Sequence, residues 1–249
     1  MKQIYKILAG AIFSSVICLG TGFPSSYYSL SGDVQKREFI NILKPMIDKS
    51  NAKVMQERAF IEDFFTRAIS SSFRSLSSKD LNRLLKISKK YRVKNLFNRD
   101  EYLEKVDRVP VPLALVQGAI ESGWGKSRFV REANNIFGHW TWGEAGLIPL
   151  GREEGKTHKI RIFRTLQSSV DSYILNLNRH NAYQSFRDLR YKKRKEGKLL
   201  SGYEAANTML KYSELGEKYV KMLHKMMKDY KLLYYDAVNS EKKKAGSLL

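Results

Sequence analysis

The stretch "PLALVQGAIESGWGKSRF", residues 112–129, joins a helical apolar pattern to a single carboxylate. Four positions recur at the i, i+3, i+4, i+7 spacing of one buried helix face: Leu113, Val116, Gln117 and Ile120. Pro112 suits the first turn of such a helix, and the Gly-Trp-Gly at 123–125 is poor helix-forming sequence. The pattern therefore predicts a buried helix with Glu121 in its last turn.

Glu121 is thereby placed where an ionised carboxylate is disfavoured. The negative end of the helix dipole and apolar neighbours such as Ile120 and Trp124 would both raise its pKa. A carboxyl that stays protonated near neutral pH is what a general acid needs. The local sequence leaves a second interpretation open, in which Glu121 is a solvated charge or pairs with Lys126 or Arg128.

The rest of the chain has mainly helical patterns. Asn98 followed by Glu101 predicts a helix start of the capping-box type. Residues 158–163 alternate instead, which predicts a small β-hairpin with Glu153 and Glu154 near its turn. We therefore predict a mainly helical α+β fold with one small hairpin.

The first residues of the chain predict export. Lys2 and Lys6 precede "ILAGAIFSSVICLG", residues 7–20, an apolar run shorter than the ~20 residues that a membrane span needs. A secretory signal fits this pattern better than an uncleaved N-terminal anchor, which stays as the alternative. Cys18, the single cysteine, lies inside this run, so the mature protein would have neither a disulfide nor a thiol nucleophile. We expect a location in the periplasm or cell envelope.

The chain is strongly basic, with 45 Lys and Arg against 25 Asp and Glu and a net charge of +20. Such a surface attracts polyanions, but its positive charge alone does not show whether the partner is nucleic acid, anionic lipid or wall polymer. A nucleic-acid-binding function is supported only by this charge and by the run "RYKKRKEGK", residues 190–198. The predicted export argues against that function. We expect anionic envelope polymers as partners of the basic surface, and no nucleic acid.

Several kinds of chemistry leave no signature in the sequence. The four histidines are scattered without metal-ligand spacing, Ser122 lacks a G-x-S-x-G frame, and no Gly-rich phosphate loop follows a strand. We therefore predict no metal and no cofactor. The sequence still offers one carboxylate in an apolar setting, an acidic pair on the hairpin and many aromatic rings. These are the groups that glycoside hydrolysis needs.

The segment "AIESGWGKSRFVREANNIFGHW", residues 119–140, resembles the motif of bacterial peptidoglycan N-acetylglucosaminidases, glycoside hydrolase family 73, and within it the exported Bax-like branch. The similarity continues through "GREEGKTHKIRIFRTLQSSVDSYILNLNRHNAY" and "GYEAANTMLKYSELGEKYVKML", and covers residues 100–235. It implies a lysozyme-like, mainly helical fold with a small β-hairpin across the cleft, in agreement with the patterns above.

The resemblance also implies catalytic residues. The Glu of the E-S-G-W-G element, the general acid of the family, falls on Glu121. A second carboxylate on the hairpin maps onto Glu154, with Glu153 as the adjacent alternative. A late tyrosine of the family site maps onto Tyr212, although "KYSELGEKY", residues 211–219, departs from the usual motif.

Substrate contacts are expected from the two motif elements. Trp124 would serve as a platform for a sugar ring, and Asn135 and Phe137 of N-N-I-F-G as further substrate-binding residues. The asparagine amides have an alternative use, in which they only hold the turn. His139 and Trp140 replace the family's usual residues after F-G, so the substrate subsite is expected to differ there.

The sequence thus predicts a monomeric peptidoglycan hydrolase that cleaves the β-1,4 bond between N-acetylglucosamine and N-acetylmuramic acid by general acid catalysis. A lytic transglycosylase of the same fold and a non-catalytic wall-binding protein are the alternatives. The expected organisation is a signal peptide or anchor at 1–22, N-terminal helices at 30–98, a catalytic domain at 99–236 and a flexible basic tail at 237–249.

Overall fold

The computed structural model describes residues 22–74, 76–143, 145–149, 152 and 155–236. The helices of this part are α1 (Ser25–Tyr28), α2 (Gly32–Ser70), α3 (Ser78–Tyr91), α4 (Arg99–Lys105), α5 (Val111–Ser122), α6 (Arg128–Ala133), α7 (Leu166–Arg179), α8 (Gln184–Lys195), α9 (Gly202–Ala206) and α10 (Glu217–Asp229), with a 3₁₀ turn at Asn181–Tyr183. Two short strands, β1 (Trp140–Thr141) and β2 (Lys159–Ile160), pair antiparallel. The predicted mainly helical fold with a small hairpin is confirmed.

Helix α5 is buried on every side. All of its residues except Ile120 and Glu121 are buried, so the helix lies in the centre of the core. Pro112 lies in the first turn, and the helix ends at Gly123, whose φ of +55° is in the left-handed region that favours glycine. The helix predicted over residues 112–122 is confirmed, with Glu121 in its last turn.

The neighbours of α5 lie directly against its backbone. A Cβ added to Gly118 would meet the Leu43 side chain of α2 at 2.8 Å. A Cβ added to Gly202 of α9 would meet Pro112 at 2.7 Å. Neither contact leaves room for a side chain, so these two glycines set how closely α2 and α9 approach α5.

Helix α2 is the longest element, with 39 residues and a length of about 58 Å. Its buried apolar face includes Phe39, Leu43, Ile47, Val54, Ile61, Phe64, Phe65 and Ala68. The helix packs on α4, α5 and α7. One apolar core therefore runs from the N-terminal helices into the region that carries the sequence motifs.

Local signals explain how α4 begins. The Asn98 side chain accepts a hydrogen bond from the backbone N–H of Glu101 at 3.1 Å, so the predicted N-cap is confirmed. The reciprocal half of a capping box does not form. The Glu101 carboxylate instead accepts from the backbone N–H groups of residues 94 and 95, at 2.9 and 3.2 Å. The same residue thus closes the preceding turn rather than the first turn of its own helix.

The hairpin is shorter than the alternating run 158–163 suggests. Its register pairs Trp140 with Ile160 and Thr141 with Lys159. Beyond this pair the chain turns into the core, because the N–H of Phe163 donates to the carbonyl of Ala133 at 2.8 Å. The second half of the run therefore joins the hairpin to α6 instead of extending the sheet.

Several predicted features lie outside the described residues. These are Glu153 and Glu154, the segment 1–21 and the tail 237–249. Gly22, the last residue of the predicted N-terminal segment, belongs to the described fold, where its N–H donates to Asn134 Oδ1 at 3.1 Å. Among the described helices none combines the length and apolarity needed to span a membrane. The described residues also hold no group of three His, Cys, Asp or Glu side chains placed to share a metal ion.

A buried ion cluster joins α2, the α4–α5 connection and α8. Asp107, 1% exposed, accepts hydrogen bonds from Arg194 Nε at 2.7 Å and Nη2 at 2.6 Å. Arg58 lies 3.7 Å from the same carboxylate, and Arg190 donates to the Asp107 carbonyl at 3.0 Å. Burial alone would raise the pKa of Asp107, but the Arg194 hydrogen bonds and the three positive charges outweigh it and hold the pKa below its usual range.

This cluster changes the interpretation of the basic run at 190–198. Arg190 is 2% exposed and Arg194 faces Asp107, while Lys193 pairs with Glu204. These three positive charges therefore make contacts within the protein and are not free for an external polyanion. The same contacts weaken the local support for nucleic-acid binding, because these three charges are engaged by other residues of the chain.

We expect Asp107→Asn to destabilise the folded chain by about 3–5 kcal/mol, because the amide leaves buried guanidinium groups without a counter-charge. The pKa of Asp107 is lowered in the folded state. Its stabilisation is therefore present above the unfolded pKa and is lost as pH falls through the folded pKa. Urea denaturation at neutral and acidic pH measures both effects.

Asp63→Asn is the matched control for this experiment. Asp63 pairs with Arg67 at 2.9 Å on the exposed side of α2, where an ion pair contributes only about 0–1 kcal/mol. An equal loss of stability in the two variants would contradict a special role for Asp107.

Candidate active site

Glu121 is a partly buried carboxylate with one hydrogen-bond donor beside it. Tyr219 of α10 donates its hydroxyl to Glu121 Oε1 at 2.9 Å. Burial raises the pKa of Glu121, and the Tyr219 hydrogen bond lowers it by less, so the pKa lies above its ordinary value. Such a carboxyl can hold a proton closer to neutral pH than a solvated glutamate can.

The ion pairs that the sequence left open for Glu121 do not form. Arg128 pairs with Glu132 at 3.1 Å, and Lys126 donates to the carbonyl of Leu30 at 3.2 Å. Both cations are therefore engaged elsewhere. In the described part of the chain, burial and Tyr219 are what act on the pKa of Glu121.

A chain of hydrogen bonds orients the Glu121 carboxyl. Tyr173 of α7 donates to Gln117 Oε1 at 2.6 Å, and Gln117 Nε2 donates to the Tyr219 hydroxyl at 3.2 Å. Tyr219 then donates to Glu121 Oε1. Each group donates a hydrogen bond to the next, so Glu121 Oε1 is the accepting end of the chain. The other oxygen, Oε2, is left to carry a carboxylic proton.

Two further tyrosines complete an aromatic cluster around this chain. The Tyr212 ring stacks on Tyr219 with centroids 5.6 Å apart and planes within 7°, and Tyr183 lies 5.9 Å from Tyr212. Burial raises the pKa of Tyr183 and of Tyr212, and the nearby Glu121 charge adds to the effect. Both phenols are therefore neutral near pH 7. The structure thus places Tyr212 against Tyr219, the residue that donates a hydrogen bond to Glu121.

Trp124 connects the E-S-G-W-G loop to the N-terminal helices. Its carbonyl accepts hydrogen bonds from the Tyr27 hydroxyl and, at 3.2 Å, from Gln35 Nε2. Its ring packs against Phe39 and Tyr230, with centroids 5.5 and 4.8 Å away. These contacts hold the loop after Glu121 against α1 and α2. Its use as a sugar platform stays a prediction.

Asn135 and Phe137 are used inside the protein. Asn135, 1% exposed, donates to the carbonyls of His139 and Arg161 at 2.9 Å and accepts from the His139 N–H at 2.9 Å. Phe137 stacks on Tyr173 at 3.9 Å and is also buried. Neither side chain is placed to touch a sugar here. The geometry favours the turn-holding alternative for Asn135 and a packing role for Phe137.

His139 does not supply an acidic imidazolium to this region near neutral pH. Its ring lies edge-to-face with Phe137 and Phe163, at 6.3 and 5.7 Å. Burial, followed by the charge of Arg161, lowers the pKa of His139 to about 4. The imidazole is therefore neutral near pH 7, and its contacts are those of a packing residue.

The hairpin carries two exposed tryptophans that sequence reasoning did not single out as binding residues. Trp140 is 56% and Trp142 70% exposed, and their rings lie 6.3 Å apart. His158 stacks on Trp140 at 4.3 Å. Exposed, mutually supported rings of this kind are typical of surfaces that contact a ligand. The signal in the sequence was the substitution of His139-Trp140 for the usual residues after F-G.

Gln117 was predicted only as part of a buried helix face, and Tyr173 and Tyr219 were not predicted as site residues. One signal was available: an amide on an otherwise apolar face, one turn before Glu121, must find hydrogen-bond partners. The predicted second carboxylate, Glu154 or Glu153, lies outside the described residues.

Comparisons with known proteins agree with the motif. The model of a family described as mannosyl-glycoprotein endo-β-N-acetylglucosaminidase matches residues 98–232. Protein bax of Escherichia coli (strain K12) is 32% identical over 206 residues, which cover 80% of this chain and 71% of that protein. The catalytic domain of the autolysin Auto from Listeria monocytogenes is 16% identical, with 69% of this chain and 97% of that domain covered and a TM-score of 0.39.

The family match begins at the start of α4 and extends beyond α10. It therefore includes Glu121, its partner Tyr219 and the hairpin. The match spans more than half of the chain, and the resemblance to the glucosaminidases and their Bax-like branch is confirmed. This chain belongs to the mannosyl-glycoprotein endo-β-N-acetylglucosaminidase family.

Proposed function

We propose that this chain is an exported peptidoglycan hydrolase that cleaves the β-1,4 bond between N-acetylglucosamine and N-acetylmuramic acid. The observation that carries the proposal is the Glu121 carboxyl, whose pKa is raised by burial and whose orientation is fixed by Tyr219. Family membership supports a glycan substrate of the peptidoglycan type. The predicted N-terminal signal supports action outside the cytoplasm.

In this mechanism Glu121 donates its Oε2 proton to the glycosidic oxygen while the bond between that oxygen and the anomeric carbon breaks. Tyr219 holds Oε1 before the transfer and stabilises the carboxylate that remains after it. Gln117 and Tyr173 keep Tyr219 in place. Glu154, with Glu153 as the adjacent alternative, would activate the water that completes hydrolysis.

The exposed hairpin tryptophans are the proposed substrate platform. Trp140 and Trp142 present ring faces at the surface, whereas Asn135 and Phe137 are buried. The hairpin is tied to the Glu121 site, because Phe137 at its base stacks on Tyr173 of the hydrogen-bond chain. A glycan lying along the hairpin would therefore be held relative to the catalytic carboxyl.

The first prediction of the proposed function concerns Glu121→Gln. Gln keeps the size of Glu but supplies no acidic proton, so we expect peptidoglycan cleavage to fall by at least ~10²–10⁴-fold. Because the pKa of Glu121 is raised in the folded state, its ionisation destabilises the folded chain as pH rises through that pKa. Gln cannot ionise, so the variant should unfold no more easily than wild type at pH 8. Product mass analysis and denaturation measure the two effects.

The products distinguish this function from its alternatives. A hydrolase of the proposed type leaves N-acetylglucosamine at the reducing end, whereas anhydro-muramyl ends indicate a lytic transglycosylase. Activity that survives replacement of both Glu153 and Glu154 by Gln would also favour the transglycosylase. Tight binding to wall material without any product from the wild type would indicate a non-catalytic wall-binding protein.

The second prediction concerns pH. The Tyr219 hydrogen bond lowers the pKa of Glu121, so Tyr219→Phe should raise it further. Activity requires protonated Glu121 and is lost as pH rises through its pKa, so the alkaline midpoint of kcat/KM should move up by about one to two pH units. The pH–rate profile measures this shift.

Tyr212→Phe is the matched control. The Tyr212 ring stacks on Tyr219, but the hydrogen bond to Glu121 comes from Tyr219. The alkaline midpoint should therefore stay where it is in wild type, whatever happens to the rate. A midpoint that moves equally in both variants would contradict a specific role for the Tyr219 hydroxyl in setting the pKa of Glu121.

The third prediction concerns the hairpin platform. Truncating Trp140 and Trp142 to Ala should raise KM for peptidoglycan by about 2–10-fold for each ring while kcat changes little, because stacking contributes about 0.5–1.5 kcal/mol per ring. Phe73 and Phe97 form another exposed ring pair, 5.8 Å apart, and their double Ala variant is the control. Unchanged KM in the tryptophan variant would exclude the platform.

A further inference from the structure

A cavity of about 390 Å³ lies between α2, the end of α3 and α7, apart from the Glu121 site. Helix α2 contributes Ser50, Lys53 and Val54, and α3 contributes Lys90 and Tyr91. Helix α7 contributes its outer face, and Arg161 enters from the segment after β2. Tyr173, which belongs to the Glu121 hydrogen-bond chain, is not among the α7 residues that line it.

The cations of this cavity fall into two groups. Lys53 pairs with Asp171 at 2.7 Å, and Lys90 pairs with Glu57 at 2.8 Å. The Asp171 carboxylate also accepts from Gln167 and Ser50, so it is fully engaged along one wall. These two lysines are therefore neutralised within the protein and do not by themselves make an anion site.

Arg161 and Arg179 form the second group, and neither has an ion pair in the described part of the chain. Arg179 donates one bond, to the carbonyl of Lys90 at 3.3 Å, and the Arg161 guanidinium lies over the Phe163 ring at 4.8 Å. A guanidinium has five N–H donors, so most of those on both side chains have no acceptor in the described part of the chain. Two such forks facing one space are the arrangement that binds an oxyanion.

The positive charges at this place act on one another. Burial, followed by the charges of Arg92 and Arg161, lowers the pKa of Arg179 below its ordinary value. Three guanidinium groups are thus close enough to repel, and a bound anion would relieve this repulsion. Ser168 and Ser172 of α7 line the same cavity and add hydroxyl donors beside the arginines.

We propose that this cavity, with Arg161 and Arg179 as its charged contacts, binds a phosphoryl group. A phosphoryl group offers three terminal oxygens, enough to accept from both guanidinium groups and from a serine hydroxyl at once, and its double charge matches two unpaired cations. The cavity, at about 390 Å³, has room for a phosphoryl group that is carried on a larger molecule. The site is separate from Glu121 and goes beyond the proposed hydrolysis.

Calorimetric titration of the full chain with inorganic phosphate, at constant ionic strength, tests the site. We expect saturable binding that weakens at least about tenfold in Arg179→Gln and in Arg161→Gln, because each loses charge-assisted hydrogen bonds. Arg164→Gln is the matched control, since Arg164 is exposed on the same segment but does not line the cavity. Its affinity should equal that of wild type.

Three results would overturn the proposal: no saturable phosphate binding by the wild type, an equal loss in Arg164→Gln, or acetate that competes as strongly as phosphate. If Arg179→Gln does not fold, as circular dichroism would show, Arg161→Gln alone decides, because its side chain is exposed. Vesicles that contain phosphatidic acid, whose headgroup is a phosphomonoester, and soluble glycerol phosphate separate the sources. Binding to the vesicles that depends on Arg161 indicates a lipid headgroup, and binding restricted to glycerol phosphate indicates a soluble phosphomonoester.

Discussion

The burial of α5 is the constraint on which the rest of this structure depends. A helix whose side chains are almost all buried must be enclosed, and α2, α9 and α10 enclose it. Every polar group on such a helix must also find a partner inside the protein. Gln117 and Glu121 lie one turn apart on it and meet this demand with Tyr173 and Tyr219. The site therefore follows from the way in which the core is built.

The position of Glu121 could be predicted because its causes are local. The apolar spacing before it and the Gly-Trp-Gly after it are enough to place it in the last turn of a buried helix. Its partner could not be predicted in this way. Tyr219 stands 98 residues further along the chain, on an amphipathic helix where a buried tyrosine looks like any core residue. The contact exists only once α10 packs on α5.

The motif residues Asn135 and Phe137 show a different limit. The sequence identifies them as part of a family element, but their use depends on distant segments: the Arg161 carbonyl for one and the Tyr173 ring for the other. The basic run at 190–198 shows the same limit for charge. The positive charge of the run could be counted from the sequence, whereas the pairing of Arg194 with Asp107 depends on α8 packing against the α4–α5 connection.

The close contact between α2 and α5 limits how this chain can be recombined with its relatives. The family match begins at residue 98, yet α5 meets α2 at Gly118, where even one methyl group would reach Leu43 at 2.8 Å. A chimaera that exchanged residues 98–232 alone would keep the motif but set a foreign helix against that surface. Crossover points therefore belong before Gly32, so that α2 and α5 are inherited as one matched pair.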